Sequence, residues 1–502
     1  MKKRFSQLPL KFGLIFLFVS GGGIQASDWP GFRGPTGDGV AKKEKAPTYF
    51  GPSSNLLWKT ELPFGHSSPV IWKDRIFLTG EQSNKLSTIC LDKGSGKKLW
   101  EQTVTPEKLE PVHSSNSHAT STPVTDGKNV YVYFGSFGML AYDLAGKESW
   151  RKPLPIPRTF NNQGTGTSPV LADNKLLIFI QIGNDSHLLA LNPVDGNELW
   201  KAPMPLYNNS YGTPVIWSEE GKTFAGLACA TRFSAFRVSD GKEMWWVNDI
   251  GFQACSTPVS LGDRLVLSSA GAFGDASNVT APPAFAEMIK NYDQNGDGLI
   301  GYDEIPNALL YTDRHASQGQ GNMSLKSAYR MFGGVKKDDK LDSAKWESIR
   351  GALSDFRVGQ MNRAVALCVR TGGKEDVTSS HVSWKEVKGV PEVPSPLVFD
   401  KKIYMIRNGG ILVCRDMDTG KLIYENRIDS PGGYFASPIA AEGSIYVCSD
   451  RGTVTVIKPG NSFEVLARNE LQEPINASPA IVDNALFVRT AKQLLAFADK
   501  AK

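Results

Sequence analysis

Leu91–Trp100 reads LDKGSGKKLW, and its sense returns as Gly146–Trp150 (GKESW), Gly196–Trp200 (GNELW), Gly241–Trp245 (GKEMW) and Gly420–Tyr424 (GKLIY). Each copy reads as a strand, a tight glycine turn, and a new strand opening on an aromatic residue. Glycine accepts the positive φ that such a turn demands, and the acidic or polar residues before it cap the turn backbone. A second mark recurs upstream: a Ser or Thr before proline, followed by a β-branched or leucine run, at Pro69, Pro123, Pro169, Pro214, Pro258, Pro396, Pro438 and Pro479.

Successive prolines are 54, 46, 45, 44, 138, 42 and 41 residues apart. A period of about 40–45 residues with four strands per unit is the arithmetic of a β-propeller blade. The eight marks predict a mainly β chain folded as an eight-bladed β-propeller, with the one long interval being a fifth blade that carries an insertion. The last repeat, Ala477–Phe497, ends after three strands, while Leu57-Trp58-Lys59-Thr60 is an orphan match to Leu99-Trp100-Glu101-Gln102. The N-terminal strand is therefore expected to complete the last blade and close the ring, leaving few open sheet edges.

Residues 1–26 read as a signal peptide: Lys2, Lys3 and Arg4, an apolar run over Phe12–Val19, then small residues up to Ala26. The apolar run is too short for a permanent membrane span, and no cysteine near the cleavage region suggests a lipid anchor. The expected location is periplasmic or extracellular. Without Lys2, Lys3, Arg4 and Lys11 the 56 basic residues become 52, against 51 acidic ones. Near neutrality, the chain offers no electrostatic case for nucleic acid or an anionic membrane. Of the six cysteines, Cys90, Cys368 and Cys414 share one strand position, where other repeats place Ala190 or Ala235, and Cys229, Cys255 and Cys448 also fall inside strand patterns. They read as buried small hydrophobes and not as a disulfide framework.

Residues 27–55 form a Gly/Pro-rich strap, expected to lie over the ring with Trp29 and Phe32 buried. Blades 1–4 and the start of blade 5 occupy 56–270, and the rest of blade 5 with blades 6–8 occupies 362–498. Between them, over 271–361, alternation gives way to helical segments at Phe285–Tyr292, Ser324–Phe332 and Ala344–Phe356. This insert holds DQNGDGLIGYDE, Asp293–Glu304, which fits an EF-hand calcium loop place by place. Asp293, Asn295 and Asp297 offer side-chain oxygens, Gly298 the sharp bend, Leu299 its carbonyl and Glu304 two closing oxygens. Gly301, at the ninth place, leaves its position to water. An all-oxygen set suits Ca²⁺ better than a transition metal. Pro306 limits where an exiting helix can begin. A second loop, Gly334–Lys345, has Leu341 at the apolar place but lacks the first and last carboxylates, and is expected to pair with the first without binding metal.

The Gly-Lys-x-x-Trp repeat over Trp58–Phe497, outside the insert, resembles the PQQ-like (quinoprotein alcohol dehydrogenase-like) β-propeller repeat. WPGFRGP at Trp29–Pro35, NGGILVCRDMDTGK at Asn408–Lys421 and YFASPIAAEGSIYV at Tyr434–Val447 are similar to exported bacterial proteins of that group, some of which carry EF-hands. The resemblance implies that Trp100, Trp150, Trp200 and Trp245 dock blade to blade. It also covers quinoprotein dehydrogenases and a non-enzymatic outer-membrane assembly factor. The dehydrogenases use adjacent disulfide-bonded cysteines, a Glu/Asn/Asp calcium cluster and a catalytic Asp. No two cysteines are adjacent here, so PQQ is possible as a cofactor but unsupported by the site residues, and no catalytic residue is assigned.

In a propeller, residues just before each Ser/Thr-Pro converge on the axis, and here they are polar or aromatic: His66, His118, Gln163, Asn209, Tyr211, Gln253, Tyr434 and Asn476. They read either as a central funnel for a small ligand or peptide or as groups that satisfy one another and channel water. Two functions compete: an exported calcium-binding propeller acting as a non-catalytic binding or assembly module, with a small molecule, peptide or envelope protein as partner, and a PQQ-dependent oxidoreductase. A calcium-gated adhesion or carbohydrate-binding protein is a third.

Overall fold

The computed structural model describes residues 28–159, 162–204, 210–271, 282–311, 323–358 and 364–499; the signal segment and Asn209 lie outside them. Every Ser/Thr-Pro mark opens the innermost strand of a blade. Blade 1 comprises Val70–Trp72, Arg75–Gln82, Lys85–Asp92 and Lys98–Val104, hydrogen-bonded in that order, and the same antiparallel meander repeats around an eight-bladed ring. In blade 8 the strands Ala480–Val482, Ala485–Arg489 and Gln493–Phe497 take their outer neighbour from Leu56–Glu61, with Trp58 opposite Ala496 and Glu61 opposite Gln493. The two ends of the chain thus share one sheet.

Proline has no N–H and biases its predecessor toward extended backbone. The Ser or Thr before it therefore carries the last free donor ahead of the strand, and being buried it needs an acceptor. The acceptor is the hydroxyl of the equivalent residue one blade on. Ser68 N donates to Thr122 Oγ1 (2.9 Å), Thr122 N to Ser168 Oγ (2.9 Å), Ser168 N to Thr213 Oγ1 (3.1 Å) and Thr213 N to Thr257 Oγ1 (3.0 Å). Thr257 N then donates to Ser395 Oγ (2.9 Å), Ser395 N to Ser437 Oγ (3.0 Å) and Ser437 N to Ser478 Oγ (2.8 Å). The 138-residue interval between Thr257 and Ser395 is invisible to this belt.

Farther out, the hairpin glycine and the aromatic form an interlock. Trp58, Trp100, Trp150, Trp200 and Trp384 each donate Nε1–H to a turn carbonyl of the next blade: Lys93, Leu144, Pro193, Val238 and Met417, at 2.9–3.0 Å. The glycine of that turn lies flat on the indole; a Cβ on Gly96, Gly146, Gly196, Gly241 or Gly420 would come within 2.4–2.7 Å of it. Within its own sheet the aromatic faces a small residue, Cys90 for Trp100, Ala141 for Trp150, Ala190 for Trp200, Cys368 for Trp384 and Cys414 for Tyr424. That is why Ala and Cys alternate there. All six thiols are free, and Cys255 stands in the loop before Ser256 and not in a strand.

Trp245 departs from the docking role expected of it. It is buried among Trp217 and Phe233, and its Nε1 has no partner among the described residues. Blade 5 lacks the short glycine turn that would supply the carbonyl. The connection there runs through Glu375–Asp376, which adds a fifth, parallel strand to blade 4 opposite Trp245 and Trp246, and through the short helix Thr378–His381.

The strap crosses the ring. Trp29 exchanges two 2.8 Å backbone bonds with Ile71 of blade 1, Thr125 N of blade 2 donates to Pro30 O, and Arg33 Nη2 donates to Pro396 O of blade 6. Blades 2 and 6 stand opposite each other in an eight-membered ring, so residues 30–33 pass over the axis. The strap continues along blade 7 through Ala440 and reaches blade 8, where the Phe50 ring meets Phe497 at 4.8 Å. Trp29 is buried as expected; Phe32 is only half-buried, because Arg33 takes the inward position.

The insert leaves blade 5 between its second and third strands, Arg264–Ser269 and Val365–Arg370. Its helices α1 (Phe285–Tyr292), α2 (Leu325–Gly333) and α3 (Ser343–Val358) enclose Met288, Ile300, Leu325, Tyr329, Leu341 and Trp346. Tyr329 and Trp346 stack at 4.1 Å.

Gly196 and Gly221 share φ near +72°, but a Cβ meets Trp150 at 2.6 Å in the first and nothing within 4 Å in the second. Urea unfolding should show Gly221→Ala losing about 1 kcal/mol from the left-handed backbone alone. Gly196→Ala should lose about 2–4 kcal/mol, because the indole must also move. Equal losses would show that the interlock contributes nothing.

Candidate functional site

The belt places the residues predicted to line the axis at one mouth of the ring, on the side away from the strap, and there they separate into small groups. His66 Nε2 lies 3.3 Å from Asn476 Nδ2, and the His66 ring is edge-on to Phe64 at 5.0 Å. Burial and the nearby Arg489 charge pull the His66 pKa down to about 4, so the ring is neutral at physiological pH. Gln253 Nε2 donates to Gln163 Oε1 at 3.3 Å across the corner of blade 4. Tyr211 is buried and held by its N–H on Ala254 O. Tyr434 is a structural residue: its hydroxyl donates to Ser430 O at 2.6 Å and its N–H to Asn408 Oδ1 at 2.8 Å.

His118 anchors the largest group. Its Nδ1 lies 2.5 Å from Glu81 Oε2 and its Nε2 2.9 Å from Glu110 O, two acceptors that favour the protonated ring. The Glu81 hydrogen bond raises the His118 pKa against the opposing effect of burial. Burial alone would raise the Glu81 carboxyl, but the hydrogen bond and charge of His118, with the Ser117 hydroxyl at 2.9 Å, outweigh it and lower it. Glu110 is fully buried. Its Oε2 accepts Thr165 N (3.0 Å) and Oγ1 (2.8 Å), while Oε1 and the neighbouring Tyr133 hydroxyl have no partner among the described residues. Burial pushes its carboxyl up to about 7.

Arg489 was not foreseen. It is fully buried at the junction of blades 8 and 1, donating from Nη1 to Ser67 O (3.1 Å) and Oγ (2.5 Å). A side chain at Gly65 would strike its Nη2 at 2.5 Å. Aligning the repeats would have exposed it: the position held by Arg489 is Tyr133 in blade 2, Phe179 in blade 3 and Ile406 in blade 6. Glu81 and Glu110 carried no such signal, since only the folded loop 105–121 brings them to His118.

In the insert, the side chains assigned to a cation wrap one loop. Asp293 accepts Gly296 N (2.8 Å) and Gly298 N (3.0 Å), Asn295 Oδ1 accepts Asp297 N (2.9 Å), and Asp297 Oδ1 accepts Leu299 N (3.0 Å). Glu304 folds back, one oxygen on Gln294 N (2.9 Å), the other on Gly301 N (2.8 Å). Ile300 pairs with Leu341 of the second loop, as expected from the apolar places. After Glu304 no exiting helix forms in the described residues; Leu309–Tyr311 instead pairs with Met323–Ser324, since Pro306 removes a donor where a helix would start.

Residues 48–281 match the family model described as outer membrane protein assembly factor BamB. The outer membrane protein assembly factor BamB of Shewanella oneidensis is 21% identical over 324 residues, 62% of this chain and 69% of that protein. The family match takes in blades 1–4 and the first two strands of blade 5. The chain folds as a β-propeller whose repeats are similar to those of that family. Among solved structures, BamB from Moraxella catarrhalis is similar at a TM-score of 0.52 and 11% identity, covering 88% of this propeller chain and 99% of that one. A europium-containing methanol dehydrogenase is similar at 0.53 and 12%, covering 95% and 98%. The quinohemoprotein alcohol dehydrogenase of Comamonas testosteroni is similar at 0.52 and 12%, covering 95% and 81%. These likenesses establish the PQQ-like propeller fold. Among the described residues no helix is long and apolar enough to cross a membrane.

The axial group makes stability depend on pH with a definite sign. A carboxyl raised in the folded state loses stability as pH climbs from its unfolded value through about 7. The raised His118 adds a loss in the same direction as pH passes its folded pKa, and the lowered Glu81 contributes only above its unfolded value. His66, lowered to about 4, gains stability as pH climbs toward its ordinary value of 6.5 and offsets Glu110 there, so the melting temperature should fall mainly from about pH 6.5 toward pH 8. Glu110→Gln should flatten that fall, and an unchanged slope would contradict the buried neutral carboxyl.

Proposed function

We propose that this protein is an exported, non-catalytic PQQ-like propeller serving as a binding or assembly module, with one Ca²⁺ in its helical insert. The observation that carries the reading is the state of the axis. The strap passes over one end with the Arg33 side chain turned inward, and at the other the polar side chains are engaged with one another, His118 through both nitrogens. An enzyme of the quinoprotein kind needs its bore for a flat cofactor and a free base; here those positions serve the scaffold. The work then falls to the outer surface and loops, in keeping with a relative named as an assembly factor for outer membrane proteins. An envelope protein is the partner class this favours.

The metal assignment is supported by the loop itself. Asp293, Asn295, Asp297 and Glu304 are an all-oxygen donor set at the places of a calcium loop, and each accepts backbone N–H groups from within that loop. They would hold Ca²⁺ with the Leu299 carbonyl, and water would stand at Gly301. The ion would supply a rigid, hard charge that organises the lobe.

Titrating the purified protein with PQQ and Ca²⁺ is expected to give no bound-quinone spectrum and no dye-linked alcohol or sugar oxidation; stoichiometric binding with turnover would establish the oxidoreductase reading instead. Calorimetry should find one Ca²⁺ site, weakened at least roughly tenfold by Glu304→Gln because the bidentate ligand is lost. Identical affinities would remove the insert from the proposal.

A further inference from the structure

Lys340 is the seventh residue of the second loop, a place that in a metal-binding loop contributes only a carbonyl. Its ammonium group instead leaves its own loop and pairs with Asp297 Oδ2, the fifth-place ligand of the first. The short ribbon explains how. Ile300 faces Leu341 and Gly301 faces Lys340, so the residue opposite Lys340 has no side chain and the lysine stem can cross the ribbon. The carboxylates of Asp293 and Glu304 also act on it, raising its pKa after the dominant effect of Asp297. One other pair of charges in the second loop is engaged locally: Lys345 Nζ lies 3.4 Å from Asp339 Oδ2, and that carboxylate also accepts Lys336 N at 3.2 Å.

We infer that Lys340 is a built-in counter-cation for the Asp293–Glu304 loop, which Ca²⁺ must displace from Asp297, so that the second loop, having lost its own carboxylates, sets the affinity of the first. This rests on the calcium reading of that loop. A metal-free EF-type loop concentrates several carboxylates whose mutual repulsion favours any cation, and an ammonium held in place by the partner strand relieves part of it. Binding Ca²⁺ then costs the loss of that ion pair and leaves a like charge beside the metal. Because the side chains of Asp297 and Lys340 are 28% and 57% exposed, the effect is modest and screened by salt. The design suits a compartment where free calcium is abundant and a tight site would never empty.

The test is Ca²⁺ calorimetry on the full-length protein at low and high salt, comparing wild type with Lys340→Met, Lys340→Arg and Lys337→Met. Lys340→Met should bind roughly 3- to 10-fold more tightly at low salt, with the gain shrinking at high salt. Lys340→Arg should stay near wild type, and Lys337→Met, an exposed lysine of the same loop, should change little. Both substituted positions are exposed, so folding is preserved. If Lys340→Met matches wild type while Ca²⁺ still binds, or if Lys337→Met gains as much, the counter-cation role is overturned and the calcium site stands. If neither wild type nor Lys340→Met binds Ca²⁺, the calcium reading falls and this inference with it.

Discussion

A propeller has no central core element, so its blades must be tied to one another near the axis, where they are closest. Here the tie is a relay of single hydrogen bonds from the amide before each blade's proline to the Ser or Thr hydroxyl of the next, running from Ser68 to Ser478. Each bond replaces one that proline denies to the strand, and each lies buried where a missing partner would cost about 1–3 kcal/mol. The relay also sets the spacing of the mouth, because every blade enters at a fixed offset from its neighbour. At the junction of the last and first blades the Arg489 guanidinium holds Ser67 through both its carbonyl and its hydroxyl. This is the junction that the N-terminal strand closes from outside.

The belt fixes the inner radius, and the indole interlock fixes the outer one. A large flat side chain projecting toward the next blade needs a carbonyl for its N–H, an opposing residue without a Cβ, and a small residue beneath it in its own sheet. Glycine in the left-handed region meets the second need and also makes the turn, so one residue serves both the hairpin and the packing. Blade 4 shows the dependence from the other side. Where blade 5 lacks the short turn, Trp245 loses its hydrogen bond, and an extra parallel strand covers the edge that results.

The insert follows a different physics. Its two loops are held by a two-residue ribbon and a small aromatic core, and among the described residues no exiting helix follows Glu304, where Pro306 disfavours one. With so little regular structure around the first loop, charge has an outsized role. The second loop is no passive mate: Lys345 neutralises its own acid, and Lys340 reaches across to the other loop's Asp297. Ring and insert thus both place cationic side chains where the fold has left polar groups unsatisfied, deep in the ring for Arg33 and Arg489 and at the surface for Lys340.

Repetition made the fold legible from the chain alone. Eight Ser/Thr-Pro marks, five glycine-aromatic turns and an unpaired strand at each end suffice for the blade count and for closure, because each mark answers a local steric requirement that recurs in every blade. The pairing of the two insert loops was legible for the same reason, as Ile300 and Leu341 hold matching places in their loops. The axis was not. His118, Glu81, Glu110 and Thr165 come from separate loops and strands, and which polar groups meet there depends on how blades 1, 2 and 3 converge. The roles of the predicted mouth residues that are described diverge: Tyr434 braces a turn, while the pKa of His66 is lowered and that of His118 raised. Local pattern therefore determined the ring and its closure, since those follow from contacts between residues near in sequence or repeated at a fixed period. Only the tertiary structure decided which buried charges face one another, because burial and long-range proximity, and not residue identity, set the protonation and pairing of each group.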